Sequence, residues 1–197
     1  MNSQRVTLLV LLDLSSAFDT VDHVILLKRL NTDFGIHGTV LDWYRSYLSG
    51  RSQHISLNGA KSDSFDLKCG VPQGSCLGLL LFIMYASKLF EIVRTHLPDA
   101  HGFADDTQLY LSFKPDSSMN QAAAVCAMEN CIAELRQWML QDKLMTNDDK
   151  TEFLIIGSRQ QLEKIDQCYI RVGEANVQPV TSTRNLGSWL IYRCQFM

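Results

Sequence analysis

Two apolar runs that each end in acid constrain this chain more than anything else in it. Val6-Thr7-Leu8-Leu9-Val10-Leu11-Leu12 is nearly continuous in Val and Leu, the mark of a strand covered on both sides, and it stops at Asp13. Much later, Gly102-Phe103-Ala104 runs into Asp105-Asp106, and the alternating Thr107-Gln108-Leu109-Tyr110-Leu111 follows. That pattern predicts a tight hairpin with two carboxylates at its tip. Carboxylates gathered at the ends of buried strands repel and raise one another's pKa. A hard divalent cation relieves the cost, since Mg²⁺ takes one or two carboxylates plus phosphate oxygens. Two such ions about 3.5–4 Å apart clamp the attacking and leaving oxygens of a phosphoryl transfer. Asp13, Asp105 and Asp106 are therefore the candidate metal ligands. An acidic hairpin alone has ordinary uses as a turn, so the flanking blocks decide.

Those blocks occur in a fixed order. Leu12-Asp13-Leu14-Ser15-Ser16-Ala17-Phe18-Asp19-Thr20-Val21-Asp22-His23 comes first, then Gly70-Val71-Pro72-Gln73-Gly74-Ser75-Cys76-Leu77-Gly78, then Phe103 to Tyr110. Lys143 to Leu154 and Asn185-Leu186-Gly187-Ser188-Trp189-Leu190 follow. Together they resemble the reverse transcriptase of LINE-type retrotransposons, those without long terminal repeats, from about Leu8 to Leu190. The resemblance implies an RNA-directed DNA polymerase palm over 1–190, with a divergent tail at 191–197. It also implies that fingers, thumb and endonuclease segments of a parent polyprotein are largely missing from this chain.

With 197 residues, 46% of them hydrophobic, one sizeable core is expected. The net charge of −3 is unusual for a protein that grips nucleic acid. It suits a polymerase palm, whose basic neighbours hold the backbone. Six cysteines (69, 76, 126, 131, 168 and 194) form no C-x-x-C pair, which favours reduced thiols in a nucleus or cytoplasm. The apolar run from Cys76 to Ala86 is too short to span a bilayer of about 20 helical residues. The run before Asp13 lacks a small-residue cleavage site, so neither a signal peptide nor a membrane partner is expected.

The periodicity predicts an α+β domain with helices on one face of a mainly antiparallel sheet, which the resemblance sharpens to a split β-α-β palm. Helices are expected over 21–30, with Val21, Ile25 and Leu26 on one face and Lys28 and Arg29 elsewhere, and over 40–48, ending at Gly50. Strands at 52–57 and 64–68 bracket Asn58-Gly59 with a loop longer than two residues. One helix is expected from 75 to 93. A long one over 118–140 would bury Ala122, Cys126, Ile132, Leu135 and Met139. A strand at 153–156 and small strands from Tyr169 complete the reading.

The resemblance implies roles for the remaining residues. Asp13, Asp105 and Asp106 would hold two Mg²⁺, with Mn²⁺ the alternative ion, to join a dNTP to a DNA primer 3′-hydroxyl on an RNA template. The Leu14 carbonyl would add a ligand, and Phe18 would sit beside the incoming sugar, excluding a 2′-hydroxyl. Gln73 and Gly74 would approach the nucleotide in a loop entering a helix N-terminus, which favours anions. Lys150 would donate a proton to pyrophosphate, and Leu186 and Gly187 would steady the primer. By the same comparison Leu79 and Asp148 stand where Pro is usual, so Asp148 would add an acid beside Lys150. Read by residue type alone, Phe18 and Trp189 are equally ordinary core residues, Lys150 an ordinary surface lysine and Asp19 a helix cap. The alternatives are a catalytically silent palm remnant and an aspartyl phosphotransferase. The latter wants an Asp two places after Asp13, where the chain has Ser15.

Overall fold

The computed structural model describes residues 4–191; Cys194 and most of the divergent tail lie outside them. In chain order, β1 (Val6–Leu12) is followed by α1 (His23–Thr32), α2 (Gly38–Leu48), and four two-residue strands, β2 (Ser52–Gln53), β3 (Ser56–Leu57), β4 (Ala60–Lys61) and β5 (Phe65–Asp66). Then come α3 (Gly78–Tyr85), α4 (Lys88–His96), β6 (Asp99–Phe103), β7 (Asp106–Phe113) and α5 (Ser118–Gln141). The chain ends with β8 (Glu152–Ile156), α6 (Arg159–Leu162), β9 (Ile170–Val172), β10 (Ala175–Val177), β11 (Ser182–Asn185) and β12 (Ser188–Ile191). This is an α+β chain, and it parts into two compact units: 4–15, 88–140 and 145–191 in one, 16–87 and 141–144 in the other. Among the described residues no helix is long and apolar enough to cross a membrane.

The first unit is organised by its four-stranded antiparallel sheet, ordered β6-β7-β1-β8. The run before Asp13 is central, with β7 on one side and β8 on the other, and Leu9 on one face is buried as Leu8 and Val10 are on the other, which is why it needs no polar alternation. Val6, Leu8, Val10 and Leu12 are all buried, as are Phe153 and Leu154 in β8. α5 buries Gln121, Ala124, Met128, Cys131, Ile132, Leu135, Trp138 and Met139. Ala122 and Cys126, expected on that face, are exposed. The stripe advances by three and four residues from 121, and starting it at 122 turns the early positions outward.

In the second unit Asp22, not Asp19, caps α1: its carboxylate accepts from the Val24 and Ile25 amides at 2.9 and 3.0 Å. Arg29, read as outward-facing, is buried. Its guanidinium binds Asp142 at 2.6 Å and donates to the Tyr85 carbonyl. The Tyr85 hydroxyl donates to the Asp142 carbonyl, and burial pushes that phenol up to about 12. The single helix expected from 75 to 93 is two, α3 and α4, with α3 closing at Ala86. β3 and β4 pair Leu57 with Ala60, so Asn58-Gly59 is a two-residue turn after all. Both turn residues have positive φ (50° and 83°), the conformation Asn-Gly supplies most readily.

Candidate active site

The register of β1 against β7 pairs Leu12 with Thr107. One residue beyond that last pair, Asp13 leaves β1 where Asp106 opens β7. The β6–β7 hairpin closes Phe103 against Asp106, which leaves Ala104-Asp105 as a two-residue turn. Ala104 takes φ of +57°, which L-residues resist and glycine usually fills. The hairpin tip is therefore built with local backbone strain.

The three acids interact as carboxylates at adjoining strand ends should. Burial, then the charges of Asp105 and Asp13, push the Asp106 carboxyl above its ordinary value. The Lys150 ammonium lies 3.5 Å from an Asp13 carboxylate oxygen. Among the described residues no three acid, histidine or cysteine side chains are gathered as a ready-made metal centre. The donor set is nonetheless all-oxygen and mutually repelling, which suits a hard divalent cation able to draw the carboxylates in.

Backbone pairing fixes the far side of Asp13. The Asn147 amide donates to the Asp13 carbonyl and the Ser15 amide to the Met145 carbonyl, each at 2.8 Å, around a Leu14–Thr146 bridge. In that pattern the flanking residues make the bonds, and the Leu14 carbonyl faces away from Thr146. A short 3₁₀ turn at Asp148–Lys150 then carries Lys150 to Asp13. Asp148 does not accompany Lys150 as the sequence suggested. Its carboxylate accepts from Arg136 and, at 2.8 Å, from Thr146. Burial works against the charged form, but the Arg136 and Thr146 hydrogen bonds and the Arg136 charge hold the carboxyl below its ordinary range.

These elements line a cleft of about 410 Å³ that includes Asp13, Asp106, Gln108, Lys150, Arg184 and Leu186. Leu186-Gly187 is the two-residue turn of the β11–β12 hairpin, with φ of +47° and +80°. The Thr183 hydroxyl, buried, donates to Glu152 of β8 and ties the hairpin down. Trp189 is 66% exposed, so it is not core. Arg184, its cross-strand partner, was missed; only its place one residue before Asn185 could have signalled it.

Phe18, Gln73 and Gly74 belong to the second unit. There Phe18 is half-buried with its ring 4.8 Å from that of Phe82. The Val71 amide donates to the Phe18 carbonyl and the Gly70 amide to the Val21 carbonyl, both at 2.8 Å, and a His23 ring nitrogen lies 2.8 Å from the Gly70 carbonyl. Gly70 has φ of +88°, and a Cβ there would stand 3.0 Å from the Asp19 carbonyl oxygen, so the loop admits no side chain. Gln73 reaches Asp19 at 3.4 Å, lining a cleft of about 650 Å³ with His23, Arg51, Cys69 and Pro72. α3 starts at Gly78, later than expected, and Ser75 Oγ accepts from its first amide at 2.9 Å. Gly74 thus precedes the helix by a turn and is not itself at the N-terminus.

Comparison with known proteins identifies the family. Residues 1–190 match the profile described as reverse transcriptase (RNA-dependent DNA polymerase). The chain is 28% identical over 157 residues to the RNA-directed DNA polymerase from mobile element jockey of Drosophila melanogaster, covering 75% of this chain and 16% of that protein. It is 29% identical over 128 residues to the retrovirus-related Pol polyprotein from type-1 retrotransposable element R2 of Popillia japonica, covering 60% and 21%. Among solved structures, apo telomerase from Candida tropicalis superposes with a TM-score of 0.59 at 15% identity, over 94% of this chain and 34% of that one.

Proposed function

This chain belongs to the reverse transcriptase family, and from that premise we propose that it carries the palm of an RNA-directed DNA polymerase of the non-long-terminal-repeat class. The observation that carries this reading is the β1–β7 register, which brings Asp13 beside Asp106 from far along the chain, where burial and the charges of Asp105 and Asp13 raise the Asp106 carboxyl. The relatives that the chain matches are longer: it spans 16% and 21% of two of them. The polymerase activity, the dNTP, the DNA primer and the RNA template all belong to the proposal.

Asp13, Asp105 and Asp106 would hold the divalent cations. When bound, two Mg²⁺ activate a primer 3′-hydroxyl and neutralise the triphosphate. The chain's own contribution is positioning. The β1–β7 ladder sets Asp13 and Asp106 at neighbouring strand ends, and the two-residue turn fixes Asp105 beside them. The Asn147–Asp13 backbone bond holds Asp13 from behind. Lys150 supplies a proton at the leaving group from its place beside Asp13. Leu186 and Gly187 support the primer at the cleft wall. Phe18, Gln73 and Gly74 serve the incoming nucleotide.

Primer extension on an RNA template with Mg²⁺ or Mn²⁺, against Asp105→Ala, tests the reading. Extension by the unaltered chain that Asp105→Ala abolishes supports it. Extension equal in both rejects it, and a folded chain that never extends is the silent remnant instead.

A further inference from the structure

A ladder of side chains on α2 and just beyond it lies outside every role described so far. Trp43 and Tyr47 stand four apart on α2, so the helix places them in one row, and Arg51 follows just beyond its end at Leu48. The Trp43 and Tyr47 rings stack, 5.5 Å between centroids and 10° between planes. The Arg51 guanidinium lies over the Tyr47 ring at 5.0 Å and also donates to the Tyr47 carbonyl at 3.3 Å. Trp43 is 53% exposed, and Val40, three residues earlier on α2, is exposed as well. An indole held flat by a neighbour and left open to water is unusual for packing alone, because its area is not removed from solvent.

The row runs into the loop cleft of the same unit. The Tyr47 hydroxyl lies 3.4 Å from Ser75 Oγ, the residue that closes the glycine-proline loop. Arg51 is itself a wall of the 650 Å³ cleft that holds Gln73 and His23. An aromatic platform continuous with a guanidinium is the chemistry that receives single-stranded nucleic acid. Bases stack on the ring, and the cation takes the phosphate and adds a cation–π contribution. The acid on the helix, Asp42, is already paired with Arg45, and the acid of the cleft, Asp19, accepts from Gln73 at 3.4 Å.

We infer that Trp43, Tyr47 and Arg51 form a docking track for a single-stranded nucleic acid, with a base on Trp43 and a phosphate at Arg51. Its assignment as the unpaired stretch of the template rests on the polymerase reading; the single-strand chemistry does not.

The test uses the full chain and a fluorescein-labelled uridine 12-mer RNA, read by anisotropy across a salt series. An abasic backbone oligomer of equal length is the second probe. Trp43→Ala should weaken the RNA about five-fold or more, within the range for one lost stacking contact, and leave the abasic oligomer unchanged. Arg51→Met should weaken both and reduce the salt slope by about one. Trp43→Phe should recover most of the loss. In the unaltered chain, bound RNA should protect Trp43 from N-bromosuccinimide, which removes dependence on any variant's folding. Wild-type-like binding by both variants, no binding at all, or no protection of Trp43 overturns the inference. So does protection that grows with the chain's own concentration without RNA, which would make this face a self-association surface. Binding that persists in Asp105→Ala separates this track from the carboxylate site, so either can fail alone.

Discussion

The cleft around Asp13 and Asp106 is walled by strands bonded rung by rung, whereas the cleft around Gln73 is walled by a loop and two-residue strands held by a few isolated backbone bonds and by side chains. In the first, backbone ladders fix where each carboxylate emerges, and burial raises the Asp106 pKa as the cost. In the second, the Gly70–Val21 and Val71–Phe18 backbone bonds pin the loop at single points, and the Arg29–Asp142–Tyr85 cluster, the Asp22–Lys143 pair and the Asp22 cap add side-chain ties within the same unit. The contrast teaches that a charged site on a sheet tolerates loss of a side chain structurally and not chemically, while a loop site has the reverse sensitivity.

Asp13→Asn breaks that contrast most severely if it is wrong. Removing one charge-stabilising group from a preorganised site typically costs on the order of 10²–10³-fold in rate. Primer extension should fall at least that far, while the melting temperature stays the same or rises as repulsion is relieved. A large drop in melting temperature would mean that Asp13 is structural.

Arg29→Met probes the other half. It leaves Asp142, whose side chain is only 14% exposed, without its partner. Loss of one member of a buried pair costs about 3–5 kcal/mol. At roughly 2–4 °C per kcal/mol for a chain of this size, melting should fall by about 10 °C. Arg29→Met with Asp142→Leu should regain most of it. Differential scanning calorimetry decides. A loss that the double variant does not recover would place the cost in the Tyr85 carbonyl contact instead.

The next test sets two acids of the first unit against each other. Asp106 has a raised folded pKa, so its ionisation costs stability as pH rises above the ordinary value of 3.8. Asp106→Asn should therefore melt higher than the parent at neutral pH, and the difference should vanish in acid. Asp148 has a lowered folded pKa. Its contribution is complete above 3.8 and disappears as pH falls through the depressed value, so Asp148→Asn should melt lower at neutral pH and converge with the parent in strong acid. Melting curves from pH 2 to 7 check both, and slopes of one sign for the two variants would refute the assignment.

How far the sequence spoke follows the same division. β1, the acidic hairpin, α5 and β8 were legible because periodicity and abrupt acids mark strand ends without tertiary knowledge. The adjacency of Asp13 and Asp106 followed only from the order of blocks; spacing along the chain says nothing of register. Arg29 was misread because a buried arginine needs its partner Asp142, which lies 113 residues away. The break between α3 and α4 was invisible, since Ala86-Ser87 carries no glycine or proline to announce it. Asp148 was misassigned because its neighbour in sequence, Lys150, competes with Arg136, a neighbour only in space. Arg184 offered only its place one residue before Asn185, and the hairpin pairing is what brings it to the cleft.

Ala104→Gly carries the smallest expected effect and tests whether the hairpin tip is strained to aim Asp105. A left-handed backbone costs an L-residue about 1–2 kcal/mol. Glycine removes that cost but returns about 0.4–1 kcal/mol through the freedom it gives the unfolded chain. The balance is a gain of about 0.5–1 kcal/mol in chemical denaturation, with extension reduced because a looser turn no longer holds Asp105 and Asp106 in one arrangement. A gain in stability with undiminished extension would show that the strain at Ala104 is incidental to positioning. A loss of stability would show that the alanine methyl makes a contact worth more than its backbone costs.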